Sequence, residues 1–398
     1  MSAHDDRPGR HLTGSLTDPA FYAGDPFGLF AELRDEAPLC WNDELGFWAV
    51  SRHAEVLAAS KDPQTWCSGK GILLRDLTIP PAEVPGALLY VDPPEHGRYR
   101  KLVQPAFAPS RIRAMEVAIR DRTRALLDAL PAEGEVDLVP TLSVPLPILV
   151  IADMLGVPET RHDDVVRWTD ALIALATDVD EAHLATATEM AVYFSELIAE
   201  RTAAPADDLV STLVTVTVDG ERLDEGELMM FCGQLLVAGN ETTRNLISAG
   251  LGALAAHPAQ WAALRADRSL IPRAVEELLR WTTPVISFLR TATVDTELGG
   301  QHVAAGEAAL LLYASANRDE RVFGPTAGEL DITRDANAQL AFGFGEHFCI
   351  GAALARLEGR IVLEELLDRY DTIASAGPVE RLASTVIAGV TSAPVRLS

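Results

Sequence analysis

The stretch LDEGELMMFCGQLLVAGNETTRNLISAGLGALAAHP, running from Leu223 to Pro258, limits the possible folds more than any other part of the chain. Its apolar residues keep a helical pattern over roughly 30 positions, and the His257-Pro258 pair ends it. The helix is apolar nearly all round, so it has no face to turn toward water. It therefore predicts a rod through the middle of a large, mostly helical protein.

The flanking sequence agrees. FGLFAELRDEAPL spaces Phe27, Phe30 and Leu33 as a helix does and stops at Pro38. GFWAVS reads as a strand, and SRHAEVLAAS as a helix capped by Ser51. Residues 109–130 and 160–202 are again Ala-rich and helical, PADDLVSTLV starts a further helix, and RAVEELLRW is another. FLRTATVDTELGGQHVAAGEAALLLYASANRD breaks into short strands and turns. GKGILLRDLTIPPAEVPGALLYVDPPEH, rich in Gly and Pro, is a long loop of the kind that covers a binding site. The expected class is mainly α with a minor β region. It comprises a flexible arm over residues 1–15 and a single catalytic domain over 16–398.

A hydrophobic content of 48% supplies a large core. The opening MSAHDDRPGRHLTG has no apolar run, and no later stretch is long and uncharged enough to span a bilayer, so the expected location is the cytoplasm. A formal charge of −25 would repel nucleic acid phosphates and anionic lipid. Cys40, Cys67, Cys232 and Cys349 lie far apart with no CxxC pair, which argues against zinc, an iron–sulfur cluster or a disulfide framework.

Cys349 stands apart from the other three. It sits in Phe342-Gly343-Phe344-Gly345-Glu346-His347-Phe348-Cys349-Ile350-Gly351, directly before the helical AALARLEGRIVLEELLDRY. Glycines at 343 and 345 let the backbone fold tightly and turn amide N–H groups toward the sulfur. A helix beginning just after the cysteine favours thiolate over thiol. This FGxGxHxCxG segment resembles the haem-binding signature of the cytochrome P-450 superfamily, in which a thiolate ligand promotes O–O cleavage. The resemblance extends from the early strand and helix to the final TSAPVRLS. It implies a haem-thiolate monooxygenase with the P-450 fold, many helices around a buried heme b (iron protoporphyrin IX), and Cys349 as the metal ligand.

Within the long apolar helix, Ala238-Gly239-Asn240-Glu241-Thr242-Thr243 is similar to the family's oxygen-activation motif. Gly239 would allow a flat ligand to approach, and Thr242 can bond the Ala238 carbonyl and open the helix locally. Glu241 and Thr242 form an acid–alcohol pair suited to proton delivery. Glu277 and Arg280, spaced i, i+3, share one helical face. The family uses such a pair as a buried lock joined by a further arginine. Here the preceding segment reads Ala327-Gly328-Glu329-Leu330-Asp331, which departs from the family pattern and leaves Arg334 or a backbone group as the third member.

His96, Arg100, Arg290 and His347 match positions that bind haem propionates in the family. Phe342, Gly343, Gly351, Ala238 and Gly239 complete the expected cofactor contacts. Segments corresponding to substrate-contacting loops carry Ile72, Leu73, Leu74, Leu235, Val285, Ile286, Phe288, Val386 and Ile387. Their apolar character favours a hydrophobic substrate such as a steroid, terpenoid, fatty acid or macrolide-like molecule.

By the same resemblance the protein hydroxylates its substrate with O2, using electrons from a separate ferredoxin or flavodoxin with its reductase. The docking surface expected for that partner includes Arg98, Arg111, Arg113, Arg356 and Arg360. A haem-dependent peroxygenase or isomerase, or a non-catalytic haem-thiolate carrier or sensor, would keep Cys349 while relaxing the need for Glu241 and Thr242.

Overall fold

A computed structural model describes residues 11–175 and 180–398. The long apolar segment is one helix, Glu225–Ala256, whose N-terminus is closed by a capping box. The Asp224 side chain accepts from Glu227 N, and the Glu227 side chain accepts from Asp224 N. It is buried on most of its circumference. Helices Pro145–Leu155, His162–Leu175, Ile271–Thr282 and Ala352–Arg369 pack around it, so the long apolar helix is the axis of the molecule.

A sheet lies to one side, with its strands in the order His11–Leu12, Leu39–Asn42, Phe47–Val50, Ala308–Leu312, Ser287–Ala292 and Trp66–Cys67. The central strand Phe47–Val50 pairs antiparallel with Leu39–Asn42, where Leu39 faces Val50. It pairs parallel with Ala308–Leu312, where Phe47 faces Ala308. Its four residues are all buried, since the strand has core on both faces.

Several sequence expectations need amendment. His11–Leu12 is a strand paired with Trp41–Asn42, so the ordered chain starts before the boundary expected at residue 16. The rest of the expected arm, residues 1–10, lies outside the described residues. Ser51 does not cap the following helix. Arg52 occupies the N-cap position of His53–Lys61, and the Ser51 hydroxyl instead donates to the Pro38 carbonyl. The pattern over 109–130 is broken at Met115 into Pro109–Ala114 and Glu116–Asp128. That over 160–202 is divided into His162–Leu175 and Glu181–Ala203, with residues 176–179 outside the described set. Cys40, Cys67 and Cys232 are buried thiols, and among the described residues no helix is long and apolar enough to cross a membrane.

Glu358, in helix Ala352–Arg369, is 1% exposed, and its Oε2 has no hydrogen-bond partner among the described residues. Burial pushes this carboxyl up to about 8, so the folded protein holds its proton where an unfolded chain, with a pKa near 4.5, has lost it. The folded state is then the more protonated one across that window, and this group's contribution to stability falls as pH rises from about 4.5 to about 8. Glu358→Gln should flatten that slope. Thermal midpoints of the two proteins at several pH values across the window check this, and parallel curves would show that the carboxyl is ionised in the fold.

Candidate active site

The Cys349 loop is shaped by two left-handed glycines, Gly343 at φ +66° and Gly345 at φ +71°. At Gly345 a side chain would also run into the Ser60 carbonyl at the end of helix His53–Lys61, so the loop is pressed against that helix. Cys349 N donates to the Phe342 carbonyl at 2.9 Å, closing the loop.

The sulfur lies deep in the protein, yet the residue is accessible, so it faces internal space rather than packed atoms. Burial pushes the thiol up. The amides of Gly351 and Ala352 pull it down, as do Arg100 and Arg356. The amides come from the start of helix Ala352–Arg369, as the sequence suggested.

Four basic side chains gather close by. Arg100 donates to the Phe348 carbonyl beside the cysteine at 2.5 Å. Arg290 is buried, and Nη1 donates to its own neighbour's carbonyl, Leu289 O, at 2.7 Å. The rings of His96 and His347 are 4.3 Å apart between centroids. Burial, with Arg100 adding to it, lowers His96 to about 4. Burial, followed by Arg290, lowers His347 to about 2. Both imidazoles are therefore neutral at physiological pH. His347 Nε2 lies 3.1 Å from Ser68 Oγ, while His96 Nε2 is buried with no partner among the described residues.

Two guanidinium groups and an unpartnered imidazole next to an accessible sulfur form a donor set in search of anionic oxygen. The two carboxylates of a haem would satisfy it, and the cysteine supplies the thiolate that such a group takes. The residues present thus fit the cofactor that the sequence implied.

On the central helix, Thr242 Oγ1 donates to the Ala238 carbonyl at 2.7 Å, the bond expected from the sequence. Ala238 is exposed although it lies midway along a buried helix, and Thr242, one turn later, is half-buried. Together they mark the strip of this helix that faces internal space. Gly239 lies close to helix Pro145–Leu155, where a Cβ would come within 2.7 Å of Ile151 Cδ1. Glu241 is buried, its carboxyl raised by desolvation, with Arg244 opposing and Asp170 assisting the shift.

The expected substrate segments converge in part. Leu289 N donates to Ile72 O at 2.8 Å, Ile286 N donates to Val386 O at 2.7 Å, and Val285 bridges to Ile387, which brings three distant stretches together. They do not all line one wall. Ile286 and Leu74 are buried in the cluster on one side of the sheet, while Val285 and Phe288 pack with the cluster on its other side. Leu235 is buried in the main helical core. Leu73, Val386 and Ile387 are half-buried.

Two carboxylates that the sequence reading passed over hold the loop preceding this region. Asp76 accepts from Ile72 N and Leu73 N, each at 2.9 Å. Asp92 accepts from Ser68 N at 2.6 Å and Gly69 N at 2.9 Å. The signal available was a pair of aspartates within a Gly-rich loop, a common way to satisfy exposed turn amides.

The lock behind the site is complete. Glu277 and Arg280 are both fully buried and joined by two 2.7 Å bonds. Arg334 Nε lies 3.4 Å from Glu277 Oε1, so it is the third member despite the departure at Leu330. Asp331 N adds a donor to Glu277 at 2.9 Å, and Arg280 donates to the carbonyls of Asn317, Ala327 and Glu329.

The expected docking arginines are largely committed elsewhere. Arg98 pairs with Glu221 and Glu227, Arg356 with Glu276, Arg360 with Glu116 and Glu364, and Arg111 lies 3.9 Å from Asp207. Of the five, only Arg113 makes no ion pair among the described residues.

Residues 151–395 match the family model for Cytochrome P450. A methyl-branched lipid omega-hydroxylase of Mycobacterium tuberculosis is 38% identical over 390 residues, covering 93% of this chain and 91% of that protein. A steroid C26-monooxygenase of the same organism is 37% identical over 389 residues, covering 96% of each. The structure of cytochrome P450 CYP109Q5 from Chondromyces apiculatus superposes with a TM-score of 0.88 at 38% identity, covering 98% of both chains. The chain belongs to the cytochrome P450 family. It is a P450 monooxygenase, and the family carries haem iron.

Proposed function

We propose that the protein hydroxylates an unactivated carbon of a hydrophobic small molecule, with a branched lipid or steroid side chain as the first class to test. Heme b would be held by Cys349, with its propionates met by His96, Arg100, Arg290 and His347. When bound, that group supplies the chemistry of dioxygen reduction and C–H oxidation. The observation that carries the reading is the accessible Cys349 sulfur with two amide donors aimed at it, beside basic side chains short of anions. The activities named for the mycobacterial relatives support the substrate class, as do the apolar residues around Ile72, Val285, Phe288 and Ile387.

The chain's own part in the reaction is to exclude water and to move protons. Glu241, whose carboxyl burial raises above the ordinary carboxylate range, is the proton donor, and Thr242 passes the proton on through its hydroxyl. Electrons would come from a separate ferredoxin or flavodoxin with its reductase.

The test is product formation across a library of hydrophobic compounds, with NADPH, ferredoxin and reductase in one arm and hydrogen peroxide alone in the other. Hydroxylated product is expected in the first arm. Product under peroxide alone would replace the monooxygenase reading with a peroxygenase. In the same assay Thr242→Ala should lower product per NADPH by about a hundredfold, the lower end of the range for a lost proton-transfer group, while NADPH consumption continues. Unchanged coupling would remove Thr242 from the path.

A further inference from the structure

The acid assigned above to proton delivery is not isolated. Glu241 Oε1 accepts from Arg244 Nη1 at 3.0 Å, one turn along the same helix. Arg244 Nε is buried and has no hydrogen-bond partner among the described residues, so the carboxylate does not saturate the guanidinium. Across the packed interface with helix His162–Leu175, Asp170 lies within electrostatic reach of both groups. Asp170 is exposed, while Glu241 is 8% exposed. An exposed acid on one helix thus bears electrostatically on a buried acid–guanidinium pair on the other.

Such a cluster has a chemical purpose. A guanidinium beside a carboxyl favours the ionised form, which cannot donate a proton. If Arg244 acted alone, it would fix Glu241 in place at the cost of disabling it. A second carboxylate near the same guanidinium offsets that field, so the acid stays oriented and remains protonatable.

We propose that Arg244 and Asp170 are positioning residues for the proton donor. Arg244 orients the Glu241 carboxyl, and Asp170 counterbalances Arg244 and marks the solvent end from which Glu241 is reloaded. When Glu241 gives its proton toward the Thr242 hydroxyl, the carboxylate left behind is held by Arg244. Bulk water then replaces the proton at the Asp170 end. Among the described residues, Arg244 and Asp170 are the charged groups that bear on Glu241. Acids on the other helices packed here are engaged elsewhere, Asp153 with Arg122 and Glu277 with Arg280.

This inference rests on Glu241 as donor, and the experiment separates the two claims. Coupling, measured as product per NADPH, should fall as pH rises through the Glu241 midpoint. Asp170→Asn leaves Arg244 unopposed and should move that limb down by about one pH unit, a tenfold change in proton affinity. Arg244→Gln should move it up by a similar amount, and Arg244→Lys should return it toward the parent value. A readout independent of turnover is the infrared carbonyl band of the neutral carboxyl in the resting holoenzyme, assigned as the band that Glu241→Gln removes. Its pH midpoint should follow the same opposite shifts.

If Arg244→Gln does not fold, the exposed Asp170→Asn variant and its infrared midpoint decide. Shifts in one direction for both variants, or an unmoved midpoint in Asp170→Asn, overturn the positioning roles while Glu241→Gln still uncouples. Should Glu241→Gln itself leave coupling intact, the donor reading fails first.

Discussion

Cys349→Ala is expected to lower turnover by more than ~100-fold, equivalent to about 2.7 kcal/mol in the barrier. The ferrous carbonyl adduct of the variant should also lack the red-displaced Soret band of sulfur ligation. The argument is local. The loop delivers one accessible sulfur, with amides of Gly351 and Ala352 directed at it, and nothing else in the loop offers a soft anionic ligand. The matching control is Cys232→Ala. That thiol is fully enclosed, with burial raising it to about 12, and its loss should leave the band in place. A Cys349→Ala protein that kept the displaced band would refute the ligand assignment.

The second large effect concerns stability. Arg280→Leu leaves Glu277 buried without its main partner, and breaking a buried pair from one side costs about 3–5 kcal/mol. The loss should reach beyond the pair, because Arg280 also ties down the carbonyls of Asn317, Ala327 and Glu329. Those segments lead into the Cys349 loop, so haem retention should fall together with the urea midpoint. Glu277→Leu combined with Arg280→Leu should cost less than the two single changes added, since neither charge of the pair is left facing the other's loss and Arg334 keeps its bonds to the Phe323 and Thr326 carbonyls. Strict additivity would show that the two residues do not act as a unit.

Much of this was readable in the chain. The central helix was visible because its apolar residues leave no polar face, and the cysteine loop because glycines at 343 and 345 meet a backbone requirement that few sequences satisfy. The Glu277–Arg280 pair could be placed on one face, but its burial could not, because i, i+3 pairs are mostly solvated. Arg334 is hidden for a related reason. Its role depends on a meander that brings it back to Glu277, and no local pattern encodes that return.

The substrate segments were legible as apolar but not as to direction. Ile286 lies just ahead of strand Ser287–Ala292 and packs into one cluster, while Phe288 within the strand packs against the other, a split that simple alternation does not give. The arginines expected to meet a redox partner carry ion pairs that no local sequence pattern encodes. Basic residues in an acidic chain find acids of their own, as Arg98, Arg356 and Arg360 do.

The loop before the site draws its shape from Asp76 and Asp92, each gripping a pair of backbone amides, with Arg75 a further 3.7 Å from the Asp76 carboxylate. The identities of the residues carried between those two anchors are therefore released from the task of maintaining conformation. Leu73, half-buried and bonded only through its main chain, is free to drift in size and shape over generations. In that sense the scaffold separates what the enzyme must preserve from what it can explore, so a lineage could acquire a new diet without first rebuilding its mouth.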